Sequence, residues 1–203
     1  MSDAAGGQPL SGILSGTLPG IRTVAVIGAG MAGRSFALAC AAAGFHVVLE
    51  DVMPANLRRA EEEYADLSLR AAAGRLELAL TVEDAVRSAD VAVDFVPDEL
   101  ESKLEIFSLL DRMAPPKTIL CTPSYALSIT DLASCVYRPE RCVAVRGELV
   151  RGDGAASAVR LLYPAAVAEG TMLAVEGFLR GLGLEVRAEA DPDVPMLMKN
   201  AVG

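Results

Sequence analysis

Three glycines and one aspartate hold the plainest chemistry in this chain. Gly28, Gly30 and Gly33 follow an apolar, β-branched run at Thr23–Ile27, and Asp51 closes a second apolar run, Val47–Leu49, 21 residues after Gly30. Each residue type has its own physical reason to be there. Gly28 lets the chain turn sharply off a strand. Gly30, lacking a Cβ, lets a pyrophosphate come close to the backbone. Gly33 lets the following helix pack tightly on the sheet. Met31 and Ala32 open that helix, whose free N–H groups and positive dipole end face the phosphates. A carboxylate at Asp51 accepts hydrogen bonds from ribose hydroxyls. The flanking order of strand, turn, helix, strand and acid is the context such a glycine motif requires, and it predicts dinucleotide binding. A carboxylate at Asp51 repels a 2′-phosphate, and Val52 and Met53 offer no cation. NAD is therefore favoured over NADP, while FAD uses the same turn and stays open.

A second group of candidates lies in the middle of the chain. The run Val91–Val96 ends at Pro97, and Asp98, Glu99, Glu101 and Lys103 follow. The carboxyl ends of strands beside the switch point of an open α/β sheet form its ligand crevice. Asp98 and Lys103 could reach the nicotinamide end of a cofactor there. The plainer readings are an acidic first helical turn for Asp98 and a solvated surface position for Lys103.

These residues need a frame to hold them. Strand patterns fall at residues 23–27, 46–50, 76–80, 91–96, 118–121, 142–145, 159–162 and 184–187. Helical patterns fall between them at 31–43, 54–73, 82–87, 99–113, 128–134 and 165–182. Such alternation predicts an α/β fold, a doubly wound and mostly parallel Rossmann sheet with helices on both faces. Thr81 and Ser128 read as helix starts, Gly44 and Gly183 as helix stops. Residues 1–20 are rich in Gly, Ser and Pro and read as a flexible tail, 21–190 as the nucleotide-binding domain, and 191–203 as a stub where a further domain would begin.

Composition narrows the partners. The 203 residues are 52% apolar with no Trp, which suits a buried parallel sheet. A net charge of −9 argues against nucleic acid, and no stretch is long enough for a membrane span. Cys40, Cys121, Cys135 and Cys142 show neither CxxC pairs nor metal spacing, so no metal is expected and reduced, mostly buried thiols are. His46, the single histidine, begins the second strand and reads as structural. A cytoplasmic location is the expectation.

At this point the chain resembles the NAD-binding domain of the 3-hydroxyacyl-CoA dehydrogenases. VAVIGAGMAG and VVLED match the opening of that family, VAVDFVPDELESK its fourth-strand segment, and MAPPKTILCTPSYALSIT and YRPERCVAV the segments leading to its active site. The resemblance implies NAD as cofactor, held by the glycine turn, Asp51 on the ribose, and Asp98 and Lys103 after Pro97. It also implies fatty acid metabolism, a 3-hydroxyacyl-type small-molecule substrate such as an acyl-CoA, and a homodimer formed through a C-terminal helical domain.

The catalytic positions depart from the family. Its histidine base stands where this chain has Arg146, which cannot act as a base at neutral pH. Its histidine-orienting glutamate falls near Ala158 or Val159. Its Asn-Thr-Ser-Ser segment is Pro123, Ser124, Tyr125 and Ala126. Tyr125, Arg146, Glu148 and Lys199 are the weak catalytic candidates left, Arg146 as a group for an acidic ligand. Two functions follow: an NAD-dependent dehydrogenase with an altered base or substrate, or an NAD(H)-binding protein without the family reaction, such as a sensor, partner subunit or pseudoenzyme.

Overall fold

A computed structural model describes residues 20–70, 73–150 and 157–192. Most of the tail, and the 193–203 part of the stub with Lys199, lie outside the described residues.

The glycine motif sits where β1 (Thr23–Ile27) meets α1 (Met31–Ala42). The chain then alternates through β2 (His46–Glu50), α2 (Pro54–Arg70), β3 (Leu76–Ala79), α3 (Val82–Val86), β4 (Val91–Asp94), α4 (Leu100–Met113), β5 (Ile119–Pro123), α5 (Ile129–Ala133), β6 (Cys142–Arg146), β7 (Ala158–Tyr163), α6 (Glu169–Gly181) and β8 (Glu185–Ala190). One eight-stranded sheet runs in the order β3-β2-β1-β4-β5-β6-β7-β8. The first six strands are mutually parallel. β7 turns antiparallel on β6, and β8 runs parallel to β7. The chain changes sides between β1 and β4, the switch point that opens a crevice at the strands' carboxyl ends.

Both faces are buried, as the apolar strands demand. Val24, Val26, Phe36, Leu49, Leu57, Val175 and Phe178 share the core beneath α1, α2 and α6. Ala25, Ile27, Ala85, Phe107, Leu120 and Leu132 share the one beneath α3, α4 and α5. Cys40, Cys121 and Cys142 are buried and Cys135 is exposed, all four as free thiols.

Local chemistry explains most element ends. The Thr81 and Ser128 side chains accept the N–H of Asp84 and Asp131 as N-caps of α3 and α5. Gly44 and Gly183 follow α1 and α6 with φ of 92° and 80°, a left-handed exit that favours glycine. Of the boundaries that differ from the expectation, three have a plain hydrogen-bonding cause. α6 begins at Glu169 and not at 165, because the Val167 N–H donates back to the Pro164 carbonyl and the Ala168 N–H to Glu140. β8 continues to Ala190 because β7 pairs with it as far as Tyr163. β4 stops at Asp94, and the Phe95 N–H turns to the Ile27 carbonyl.

Candidate functional site

The turn after β1 is shaped by contacts a side chain would break. Gly28 has φ of 97° and donates its N–H to the Glu50 carbonyl at 2.9 Å. A Cβ on Gly33 would meet the Gly28 carbonyl oxygen at 1.9 Å, so only glycine permits this helix-to-turn packing. Nothing lies within 4 Å of a Cβ built on Gly30, and the space above it is open. α1 begins with neither a capping side chain nor an acid in its first turn, unlike α3 and α5. Its leading N–H groups and dipole are thus left to an external anion.

Asp51 stands beside this turn, 9% exposed. Its Oδ2 accepts from the Ala29 N–H at 2.8 Å and from Asn56 Nδ2 at 3.0 Å, and its Oδ1 accepts from the Met53 N–H at 2.7 Å. Each carboxylate oxygen has two lone pairs, so Oδ1 keeps one for a further donor. The carboxylate is therefore aimed by two backbone N–H groups and can still take a hydroxyl. Burial, with Asp51 next, pushes the neighbouring Glu50 carboxyl above its usual range. The Asp51 N–H donates to the Ala79 carbonyl, bringing the end of β3 alongside. Around these strand ends Val52, Met53 and Leu80 are exposed at 76%, 56% and 59%, an apolar margin that sequence reading had passed over.

The crevice itself is a cavity of about 480 Å³ whose wall includes Met31, Phe36, Phe95, Lys103, Tyr125 and Glu148. Lys103 is not the solvated surface lysine of the bare sequence reading. It is 1% exposed, and its Nζ donates to Asp94 Oδ1 at 2.6 Å. Burial pushes the Asp94 carboxyl above the usual carboxylate range, against the pull of Lys103, and Asp94 Oδ2 is buried without a hydrogen-bond partner among the described residues. Asp94 was missed, although the signal was present: an acid inside the apolar run Val91–Val96 needs a buried partner.

Asp98 and Tyr125 meet beside the crevice, where the loops after the adjacent strands β4 and β5 come together. Asp98 Oδ2 accepts the Tyr125 N–H at 2.9 Å, so Asp98 ties the β4–α4 loop, with exposed Pro97, to the β5–α5 loop. That second loop is pinned further: the Ser124 N–H donates to the Val145 carbonyl, and the Leu127 N–H to Ser124 Oγ. Tyr125 itself stays 76% exposed on the cavity wall. Arg146 ends β6, but its Nη2 donates to the Leu127 carbonyl at 3.0 Å and its Nε is buried. The structure thus gathers Met31, Ala32, Lys103, Tyr125 and Glu148 on one cavity and turns the Arg146 guanidinium to the head of α5. His46 is far from catalysis in form: it bonds Glu77 through Nε2 at 2.8 Å, strand to strand.

Fold and turn together define a Rossmann domain of the NAD-binding type. The model of the family described as 3-hydroxyacyl-CoA dehydrogenase, NAD binding domain, matches residues 23–146. The chain belongs to this family, and its cofactor is NAD. It is 31% identical to a probable 3-hydroxybutyryl-CoA dehydrogenase of Bacillus subtilis, over 62% of this chain and 48% of that protein. It is 26% identical to 5-formyl-3-hydroxy-2-methylpyridine 4-carboxylate 5-dehydrogenase of Mesorhizobium japonicum, over 90% of this chain and 61% of that one. Among solved structures, a 3-hydroxyacyl-CoA dehydrogenase from Archaeoglobus fulgidus superposes with a TM-score of 0.71 at 28% identity, over 89% of this chain and 60% of that one. The chain thus spans roughly half the length of the curated relatives it matches. The open Gly30 cradle, the uncapped head of α1 and the aimed Asp51 carboxylate all fit the dinucleotide.

Proposed function

We propose that this chain is the cofactor-holding part of an NAD-dependent oxidoreductase that works on a small hydroxyl- or carbonyl-bearing substrate at the crevice. The observation that carries this reading is the Asp51 carboxylate, held 2.8 Å from the Ala29 N–H at the glycine turn with acceptor capacity to spare. Gly28, Gly30 and Gly33, with Met31 and Ala32, cradle the pyrophosphate. Asp51 takes the adenosine ribose, and the apolar margin of Val52, Met53 and Leu80 faces the adenine. Pro97, Asp98 and Lys103 border the nicotinamide end. Bound NAD supplies the hydride acceptor. The protein's own task is to orient the substrate and move its hydroxyl proton. Tyr125 and Glu148, on the wall of the cavity, are the groups placed to do so. Lys103 holds a positive charge at the same wall through Asp94.

A second reading is an NAD(H)-binding protein without this turnover. It is favoured by Arg146, which stands at the family's histidine position with its guanidinium on the Leu127 carbonyl. One series of measurements decides between the two. NADH titrated by calorimetry binds more tightly than NADPH, and Asp51→Ala weakens NADH by about 10- to 100-fold, the scale of lost hydrogen bonds to a charged group, while narrowing that preference. Equal affinity of the wild-type chain for the two nucleotides would sink the assignment of Asp51. Turnover of acetoacetyl-CoA with NADH, abolished by Tyr125→Phe or Glu148→Gln, supports the enzyme; tight NADH binding with no turnover of acetoacetyl-CoA or simple 3-oxo acids selects the binder.

A further inference from the structure

The amino ends of the strands carry a cavity of their own, at the end of the sheet away from the glycine turn. Ile21, Asp90, Lys117 and Arg141 line it, each from the segment that leads into one of four neighbouring strands, β1, β4, β5 and β6. The first two turns of α6 close one side with Gly170 and Ala174, and the volume is about 300 Å³. That lies at the low end of the range for ligand pockets, about 300–1,000 Å³, a size for a small molecule and not for a dinucleotide.

The charges lining this cavity do not balance. Asp90 is fully engaged: its Oδ2 accepts the N–H groups of Arg22 and Thr23, and its Oδ1 accepts from Lys117 Nζ at 2.5 Å. The Arg141 guanidinium makes a single hydrogen bond, from Nη1 to the Lys117 carbonyl at 3.0 Å, and ion-pairs with no carboxylate among the described residues. Its Nε and Nη2 are left free, the edge of the fork that grips a carboxylate side-on. The frame behind this arginine is fixed. Three residues back, the buried Arg138 bonds Asp111 Oδ1 and the carbonyls of Ala114 and Pro115. The Glu140 carbonyl accepts from both the Ala168 N–H and Thr171 Oγ1, which ties the head of α6 to the turn Pro139–Arg141. Groups already held in place lose little freedom on binding.

We propose that this cavity is a second binding site, separate from the crevice, for a small monocarboxylate with an apolar body. The carboxylate lies side-on against Arg141, and the apolar body covers Ile21, Ile119 and Ala174. One surplus cation selects one negative charge, and the apolar walls select against inorganic anions.

The test titrates hexanoate, hexylammonium and inorganic phosphate into the whole chain by calorimetry, with and without saturating NADH. Hexanoate should bind at least about 10-fold more tightly than either of the others, the scale of hydrogen bonds to a charged group, and NADH should not displace it. Arg141→Gln should weaken hexanoate by about 10-fold or more. Arg180→Gln removes the same charge from α6 outside the cavity and should leave hexanoate unchanged. Gly170→Trp, whose Cβ would meet nothing within 4 Å, fills the cavity and should remove hexanoate binding while the melting temperature and NADH affinity hold. Hexanoate that binds no better than phosphate or hexylammonium, that NADH displaces, that loses equally in the two arginine variants, or that survives Gly170→Trp overturns the proposal.

Discussion

Lys103 and Asp94 show how much one buried pair can decide. Both side chains are almost wholly removed from solvent, at 1% and 0% exposure. Taking two charges out of water is expensive, and their mutual attraction returns it only while both are present. Asp94→Asn or Lys103→Met alone should therefore cost about 3–5 kcal/mol, whereas the double replacement Asp94→Leu/Lys103→Met should cost clearly less than the sum. Urea denaturation of the four proteins measures this coupling, and additive losses would mean that the two residues do not act as a pair. Position 103 also shows what residue-level reading can miss. A lysine four residues into an acidic helix looks solvated, and its burial became visible only when β4 brought Asp94 beneath it. The place of Asp51 beside the glycine turn was legible because it depends on local spacing alone. Arg146 was legible as a departure from the family's histidine but not as a donor to the Leu127 carbonyl, since that contact depends on how the β5–α5 loop folds back.

At the scale of elements, the strand–turn–helix unit separates two kinds of glycine. Gly33→Ala forces a Cβ to within 1.9 Å of the Gly28 carbonyl and should destabilise the fold by about 1–3 kcal/mol. Gly30→Ala meets nothing within 4 Å, so it should leave the melting temperature nearly unchanged and weaken NADH instead. Parallel calorimetric melts and NADH titrations of the two variants check this; equal melting losses would mean that the open space above Gly30 is not what the turn provides. The six parallel strands were readable because both their faces are buried and their apolar runs are nearly continuous. The reversal at β7 was not. Its first four residues alternate between exposed and buried, and Leu161 and Leu162 are both buried, one on each face, a pattern that does not say which way the neighbouring strand runs.

At the amino ends of the central strands, opposite the crevice, Asp90 ties the start of β1 to the segment before β5. Its Oδ2 accepts the N–H groups of Arg22 and Thr23, and its Oδ1 accepts from Lys117 Nζ at 2.5 Å. Burial works to raise the Asp90 carboxyl, but Lys117 and the two backbone donors outweigh it and hold it below the usual carboxylate range. A carboxyl whose folded pKa is depressed contributes stability above its unfolded value of about 4, and that contribution is lost as pH falls through the folded pKa. Asp90→Asn should thus melt about 2–4 °C below the parent at pH 7, and the gap should close as the pH falls below about 4. A gap independent of pH would mean that the loss is one of packing and not of charge.

The thiols give this chain a practical property. Burial pushes the Cys40 and Cys142 thiols well up and Cys121 to about 12, and reagents that attack thiolates have almost none to find there. Cys135 is the one exposed cysteine of the four, just past α5, the short helix whose preceding loop carries Tyr125. A maleimide dye on the unmodified chain should therefore label at a single point, past the end of α5 that lies away from the Tyr125 loop, and slowly, because burial pushes that thiol up as well. Its emission would report on the packing of α5 against α4, with no engineered residue in the way.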